Sequence, residues 1–123
     1  MDPKCTSTAK RTEDYPEDDY QRREPRLQGE NYDRNMALVE RLRTIATHHA
    51  ATPAQVALAW LFSKGDGVVP IPGTKQVRYL EENVKALDLT LTPAEIQDLE
   101  RFAAPGAVAG MRYDEDLITS IDR

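Results

Sequence analysis

Apolar side chains return at helical spacing through the middle of the chain. Leu38, Val39, Leu42, Ile45, Ala46 and His49 carry that period, with Glu40, Arg41 and Arg43 between them. It predicts an amphipathic helix, capped by Asn31 or Asp33 and ending near His49. His48 and His49 would point about 100° apart on it. They read as helix-end histidines favoured by the helix dipole, not as metal ligands. Thr52-Pro53-Ala54-Gln55 opens a second helix: threonine caps it, proline fits its first position and glutamine closes a capping box. The following VALAWLFSK is apolar nearly all round, so it needs cover on several sides. Gly65 stands where a C-terminal glycine belongs.

Beyond the Asp66-Gly67 turn, Val68 to Ile71 reads as a short buried strand. Pro70 and Pro72 remove two backbone donors, so its pairing is partial or ends there. Val77, Leu80, Val84 and Leu87 form the narrow apolar stripe of a third helix. Thr92-Pro93-Ala94-Glu95 then repeats the capping box, with Ile96, Leu99, Phe102 and Ala103 as the next apolar face. The two boxes suggest a helical repeat, whose stacked units make a protein-binding surface. The residues between them do not match, however, and one helix is apolar all round while the other is amphipathic. Both boxes are good helix starts in their own right.

This divides the chain into a charged loop or disordered arm over 1–30, a structured part over 31–103 and a tail without sustained period over 104–123. Pro16 and Pro25 interrupt any helix in the arm. Tyr15, Tyr20 and Tyr32 are positioned to pin it. Helix, loop, strand, loop, helix is an α/β pattern with one convincing strand. A parallel strand is not satisfied alone, and an all-round apolar helix needs a sheet or other helices over it. Unmet burial therefore predicts part of a larger fold.

Composition narrows the functional classes. The 123 residues are 40% hydrophobic and 30% charged with a formal net charge of −5, which argues against general binding to nucleic acid or anionic membrane. No apolar run approaches the ~20 residues that span a bilayer, and the N-terminal region lacks a signal-peptide core. Cytoplasm is the default compartment. Cys5 is the single cysteine, so no intrachain disulfide or cysteine-based zinc site is expected, and its place near the N-terminus suits an inert thiol.

On an acidic chain, local cations are informative. Lys75 and Arg78 stand where a helix opens after Pro-Ile-Pro-Gly-Thr, although a helix start already carries positive charge. One reading is an anion site: Gly73 permits close backbone approach, Thr74 offers a hydroxyl, and Lys75 and Arg78 add charge. The other is that Arg78 pairs weakly with Glu81 or Glu82 and Lys75 is merely solvated. Gly-Thr-Lys lacks the full spacing of a phosphate loop. No Ser/His/Asp or Cys/His arrangement suggests catalysis, and the carboxylates of EDYPEDD sit in a polar loop.

Taken together, ENYDRNMALVERLRTIA, TPAQVALAWLF and VVPIPGTKQVRYLEENVKALDLTLTPAEIQDLE resemble the C-terminal third of aldo-keto reductases. The similarity runs from about residue 10 to the end and is most specific over Thr52 to Glu100. It implies the C-terminal portion of a (β/α)8 TIM barrel, a fold of ~250 residues. Val68 to Ile71 would be its eighth strand, and the charged N-terminal segment the loop after the seventh.

The resemblance also implies NADPH as cofactor and reduction of a small carbonyl substrate by hydride transfer. Gly73, Thr74 and Lys75 would hold the adenosine 2′-phosphate, with Arg78 in support, and Glu82 and Asn83 would contact the adenine edge. Many relatives carry lysine in place of Gly73, so preference for NADPH rests mainly on Lys75. The family's catalytic tetrad of aspartate, tyrosine, lysine and histidine has no matching motif here. The expectation is a segment holding one end of the cofactor and inactive alone, which self-associates through exposed apolar faces such as the Val56–Phe62 helix. The alternative is a non-catalytic helical protein-interaction module.

Overall fold

Both capping boxes form. The Gln55 N–H donates to Thr52 Oγ1 at 3.3 Å while the Thr52 N–H donates back to Gln55 Oε1 at 2.9 Å. The Glu95 N–H and Thr92 Oγ1 (3.2 Å), and the Thr92 N–H and Glu95 Oε2 (2.8 Å), repeat the exchange. Each satisfies two helix-end donors that would otherwise lack partners. A computed structural model of the chain describes residues 10–121, so Cys5 lies outside the described residues. Among the described residues five α-helices follow one another: α1 Gly29–His48, α2 Pro53–Phe62, α3 Val77–Lys85, α4 Pro93–Phe102 and α5 Glu115–Ile121.

The core lies where α1, α2 and α4 meet. Leu42, Ile45 and Ala46 of α1, Val56 and Ala59 of α2, and Leu91 and Leu99 form one buried cluster, with Trp60 and Ile96 packed against it. The period running from Leu38 to Ala46 therefore marks a real inner face. Most of VALAWLF is covered as well: Val56 is fully buried and Leu58 and Ala59 nearly so, while Phe62 at its end is exposed. No helix among the described residues is long and apolar enough to cross a membrane.

The strand expected over 68–71 is not formed, and among the described residues no segment is a strand. Val69 is 78% exposed and Ile71 87% exposed, so the run is not buried either. A strand exists only by pairing, and Pro70 and Pro72 already lack donors. With no second strand among the described residues, nothing holds these four in a ladder. The stripe expected here is exposed too: Val77, Leu80 and Val84 of α3 and Leu87 just beyond it face solvent, while Asn83 and Ala86 are buried.

The first helix starts earlier than Asn31 or Asp33 would place it. Gln28 is its N-cap, without a side-chain cap bond. Asn31 instead donates its amide to the Pro25 carbonyl at 3.0 Å, and Asp33 pairs with Arg11. Ahead of α1 the chain makes three short 3-10 turns, Thr12–Asp14, Tyr20–Arg23 and Pro25–Leu27. Asn35 fastens this segment to the C-terminal one. Its amide donates to the carbonyls of Arg26 (3.0 Å) and Ala109 (2.8 Å), and its oxygen accepts the Ala109 N–H at 2.7 Å. Gly110 completes the clasp at φ +89°, where a Cβ would sit 2.9 Å from both Asn31 Nδ2 and the Pro25 oxygen. Only glycine suits that backbone and that space.

Candidate functional site

The start of α3 is bare of acid. Gln76 is its N-cap in extended conformation, with no side-chain cap bond and no acidic residue in the first turn. The Gln76 N–H donates to Thr74 Oγ1 at 3.3 Å, and the Thr74 hydroxyl donates to the Gln76 carbonyl at 3.1 Å. This small turn fixes the approach of the chain into the helix. Gly73, Thr74 and Lys75 are all exposed around it. Among the described residues Lys75 makes no ion pair, so its charge adds to the positive helix end.

Arg78 is placed differently from either reading of the sequence. Its guanidinium lies 4.5 Å from the centroid of the neighbouring Tyr79 ring and donates to the Tyr79 hydroxyl at 2.9 Å. It does not turn to Glu81 or Glu82. Arginine stacked on an aromatic ring keeps its full charge and most of its donors.

Further along the same helix, Glu82 and Asn83 turn toward α2. Glu82 Oε1 accepts the Thr52 hydroxyl at 2.7 Å, and the Glu82 carbonyl accepts the Gln55 side-chain amide at 2.9 Å. Thr52 and Gln55 thus cap α2 and also moor α3. Asn83 is 6% exposed, and its Nδ2 has no acceptor among the described residues. A buried amide donor without a partner has lost its water without compensation. Sequence reasoning missed Thr52 and Gln55 as neighbours of Glu82, since their spacing reads only as a capping box. It also missed Tyr79, whose one signal is its position beside Arg78.

The helix start presents uncapped backbone donors and one lysine with no acid beside them. The orphaned amide of Asn83 suits a ring nitrogen or another acceptor. A profile of the Aldo/keto reductase family matches residues 6–104. The chain belongs to the aldo/keto reductase family. It is 44% identical over 108 residues to "Aldo-keto reductase yakc [NADP(+)]" of Schizosaccharomyces pombe, covering 88% of this chain and 32% of that relative. It is 43% identical over 93 residues to "Probable aldo-keto reductase 1" of Glycine max, covering 76% of this chain and 27% of that one. This aldo/keto reductase chain therefore spans about a third of the length of the curated relatives it matches. Family membership makes its helices those of part of a (β/α)8 barrel.

Proposed function

We propose that this chain supplies the adenosine end of an NADPH site to an aldo/keto reductase that reduces a small carbonyl substrate. NADPH would supply the hydride. Lys75 and the uncapped start of α3 hold the 2′-phosphate, with the Thr74 hydroxyl beside it and Gly73 allowing close backbone approach. Arg78 contributes charge at longer range. Asn83 gives its amide to the adenine edge, and Glu82 shapes that edge while staying bonded to Thr52.

The observation that carries this reading is the cationic, acid-free start of α3 beside a lysine with no ion-pair partner among the described residues. No motif for the family's catalytic tetrad stands beside it, so the chain on its own is inactive toward aldehydes. The experiment is titration with 2′,5′-ADP and 5′-AMP, which differ only in the 2′-phosphate. The 2′,5′-ADP should bind about 10–100-fold tighter, as one charge-assisted contact allows, and Lys75→Ala should remove most of that preference. Equal affinity for the two nucleotides overturns the reading.

A second reading, a non-catalytic helical interaction module, draws on one observation: α2 buries Val56, Leu58 and Ala59 within the chain itself. It predicts a sharp thermal transition in one clean species by sedimentation, together with no preference for 2′,5′-ADP.

A further inference from the structure

A cavity of about 570 Å³ opens between the turns at 20–27, α1 from Tyr32 to Leu42 and residues 108–117. Its size falls within the ~300–1,000 Å³ typical of small-molecule sites. None of its lining residues belongs to the proposed nucleotide site, so a ligand here is independent of that reading. The walls come from distant parts of the chain, and the Asn35 clasp holds two of them to the third. Arg23 adds a second fastening, pairing with Asp114 at 2.9 Å and Asp116 at 3.4 Å.

The lining has two characters. Leu27, Val39, Leu42 and Val108 give it an apolar wall, and the first three are buried. The remaining lining includes three arginines and two carboxylates, Arg23, Arg26 and Arg112 against Glu24 and Asp114, together with Tyr32 and Tyr113. Arg23 is committed to Asp114 and Asp116. That leaves Arg26 and Arg112 beside one lining carboxylate, Glu24, and with Asp116 counted the three arginines meet three carboxylates, so the positive charge is confined to the Arg26 and Arg112 end. Arg112 rests over the Tyr113 ring at 5.5 Å and forms no ion pair among the described residues. Burial pushes the Glu24 carboxyl above its ordinary value despite the Arg26 guanidinium nearby.

We infer that this cavity binds a small organic monocarboxylate, its apolar body against Leu27, Val39, Leu42 and Val108 and its carboxylate toward Arg26 and Arg112. The guanidinium fork matches a carboxylate through two parallel hydrogen bonds, whereas a neutral ligand of the same shape leaves that match unused. An apolar body sets a minimum size for the ligand, which separates it from an inorganic anion.

The test titrates 2-naphthoate and its neutral isostere 2-naphthamide into the 123-residue chain by calorimetry. The acid should bind at least about tenfold tighter than the amide, the scale of one charge-assisted contact. Arg112→Gln should reduce that preference severalfold while leaving amide binding in place. Val108→Trp, at a partly exposed wall position, should block both ligands. Arg112 and Val108 lie toward solvent, so both variants should keep the wild-type circular dichroism spectrum. Equal affinity for acid and amide overturns the inference. So does naphthoate binding that survives both substitutions, or no binding at millimolar ligand by a folded chain.

Discussion

His49 Nε2 lies 2.9 Å from Glu95 Oε2 and 3.0 Å from Oε1, so the end of α1 and the start of α4 meet through one carboxylate. The same carboxylate accepts the Thr92 N–H in the capping box. Burial works against its charged form, but the Thr92 backbone, the His49 ring and the Thr92 hydroxyl outweigh it and hold the Glu95 carboxyl below its ordinary value. A carboxyl with a lower pKa folded than unfolded binds fewer protons when folded, so its contribution is complete above the unfolded value and lost on acidification. Wild type should therefore lose this contribution as pH falls below about 4.3 and through the folded value. Glu95→Gln can keep the box but not the charge, and its stability difference from wild type should shrink across that interval. Glu95→Ala loses box and charge together, at about 1–2 kcal/mol near neutral pH. Urea unfolding at stepped pH measures all three. A Glu95→Gln deficit that stays constant with pH removes the carboxylate from the account.

The end of α1 carries a backbone cost that a single substitution relieves. Ala50 has φ +50°, and the Ala51 N–H donates to the Ala46 carbonyl at 2.9 Å, closing the helix with a left-handed residue that is not glycine. An alanine there crowds its Cβ against the neighbouring carbonyl. Ala50→Gly should stabilise the chain by about 1 kcal/mol, partly offset by glycine's greater unfolded freedom. A raised urea midpoint at unchanged slope confirms it, and a lowered midpoint refutes the strain.

What is legible in the sequence is local. Each capping box is complete within four positions, and the inner face of α1 is written in the spacing of Leu42, Ile45 and Ala46. The strand expected at 68–71 does not form because a strand is a property of two segments, and its partner is not among the described residues. The stripe of α3 exists as a pattern, yet it faces solvent. Nothing local announces that Asn35 will bond Ala109, 74 positions away. In the candidate site, Gly73, Thr74 and Lys75 stand out because anion chemistry is carried by neighbours in sequence. The mooring of Glu82 to Thr52 spans 30 positions and leaves no trace in spacing.

The exposed stripe of α3 separates stability from association. Leu80 is 52% exposed and Leu87 66%, whereas Leu99 is 2% exposed. Leu80→Lys combined with Leu87→Glu should change unfolding free energy by no more than about 0.5 kcal/mol per site. The pair should also reduce self-association, since an exposed apolar stripe of this kind invites partners. Leu99→Ala should cost about 2–5 kcal/mol. Sedimentation and urea unfolding read the two effects independently. Unchanged sedimentation in the double variant would show that self-association does not use this face.

Glu82 and Asn83 are adjacent, yet truncation of each should act differently on stability and on binding. Glu82 accepts the buried side of the α2 cap, so Glu82→Ala leaves the Thr52 hydroxyl without that acceptor and should lower stability by about 1 kcal/mol. Asn83 holds a buried amide whose Nδ2 has no acceptor among the described residues, so removing it also removes a desolvation cost. Asn83→Ala leaves a small cavity in exchange, and the net change in stability should stay within about 1 kcal/mol of zero. Binding should reverse the order. If Asn83 gives its amide to the adenine edge, Asn83→Ala weakens 2′,5′-ADP and 5′-AMP by the same factor, because both carry the base. Lys75→Ala weakens only the first. A double variant combining Lys75→Ala and Asn83→Ala should then lose the sum of the two free energies for 2′,5′-ADP, as expected of separate contacts on one ligand. An Asn83→Ala chain that binds both nucleotides like wild type returns the buried amide to a purely structural role and leaves Lys75 to carry the site.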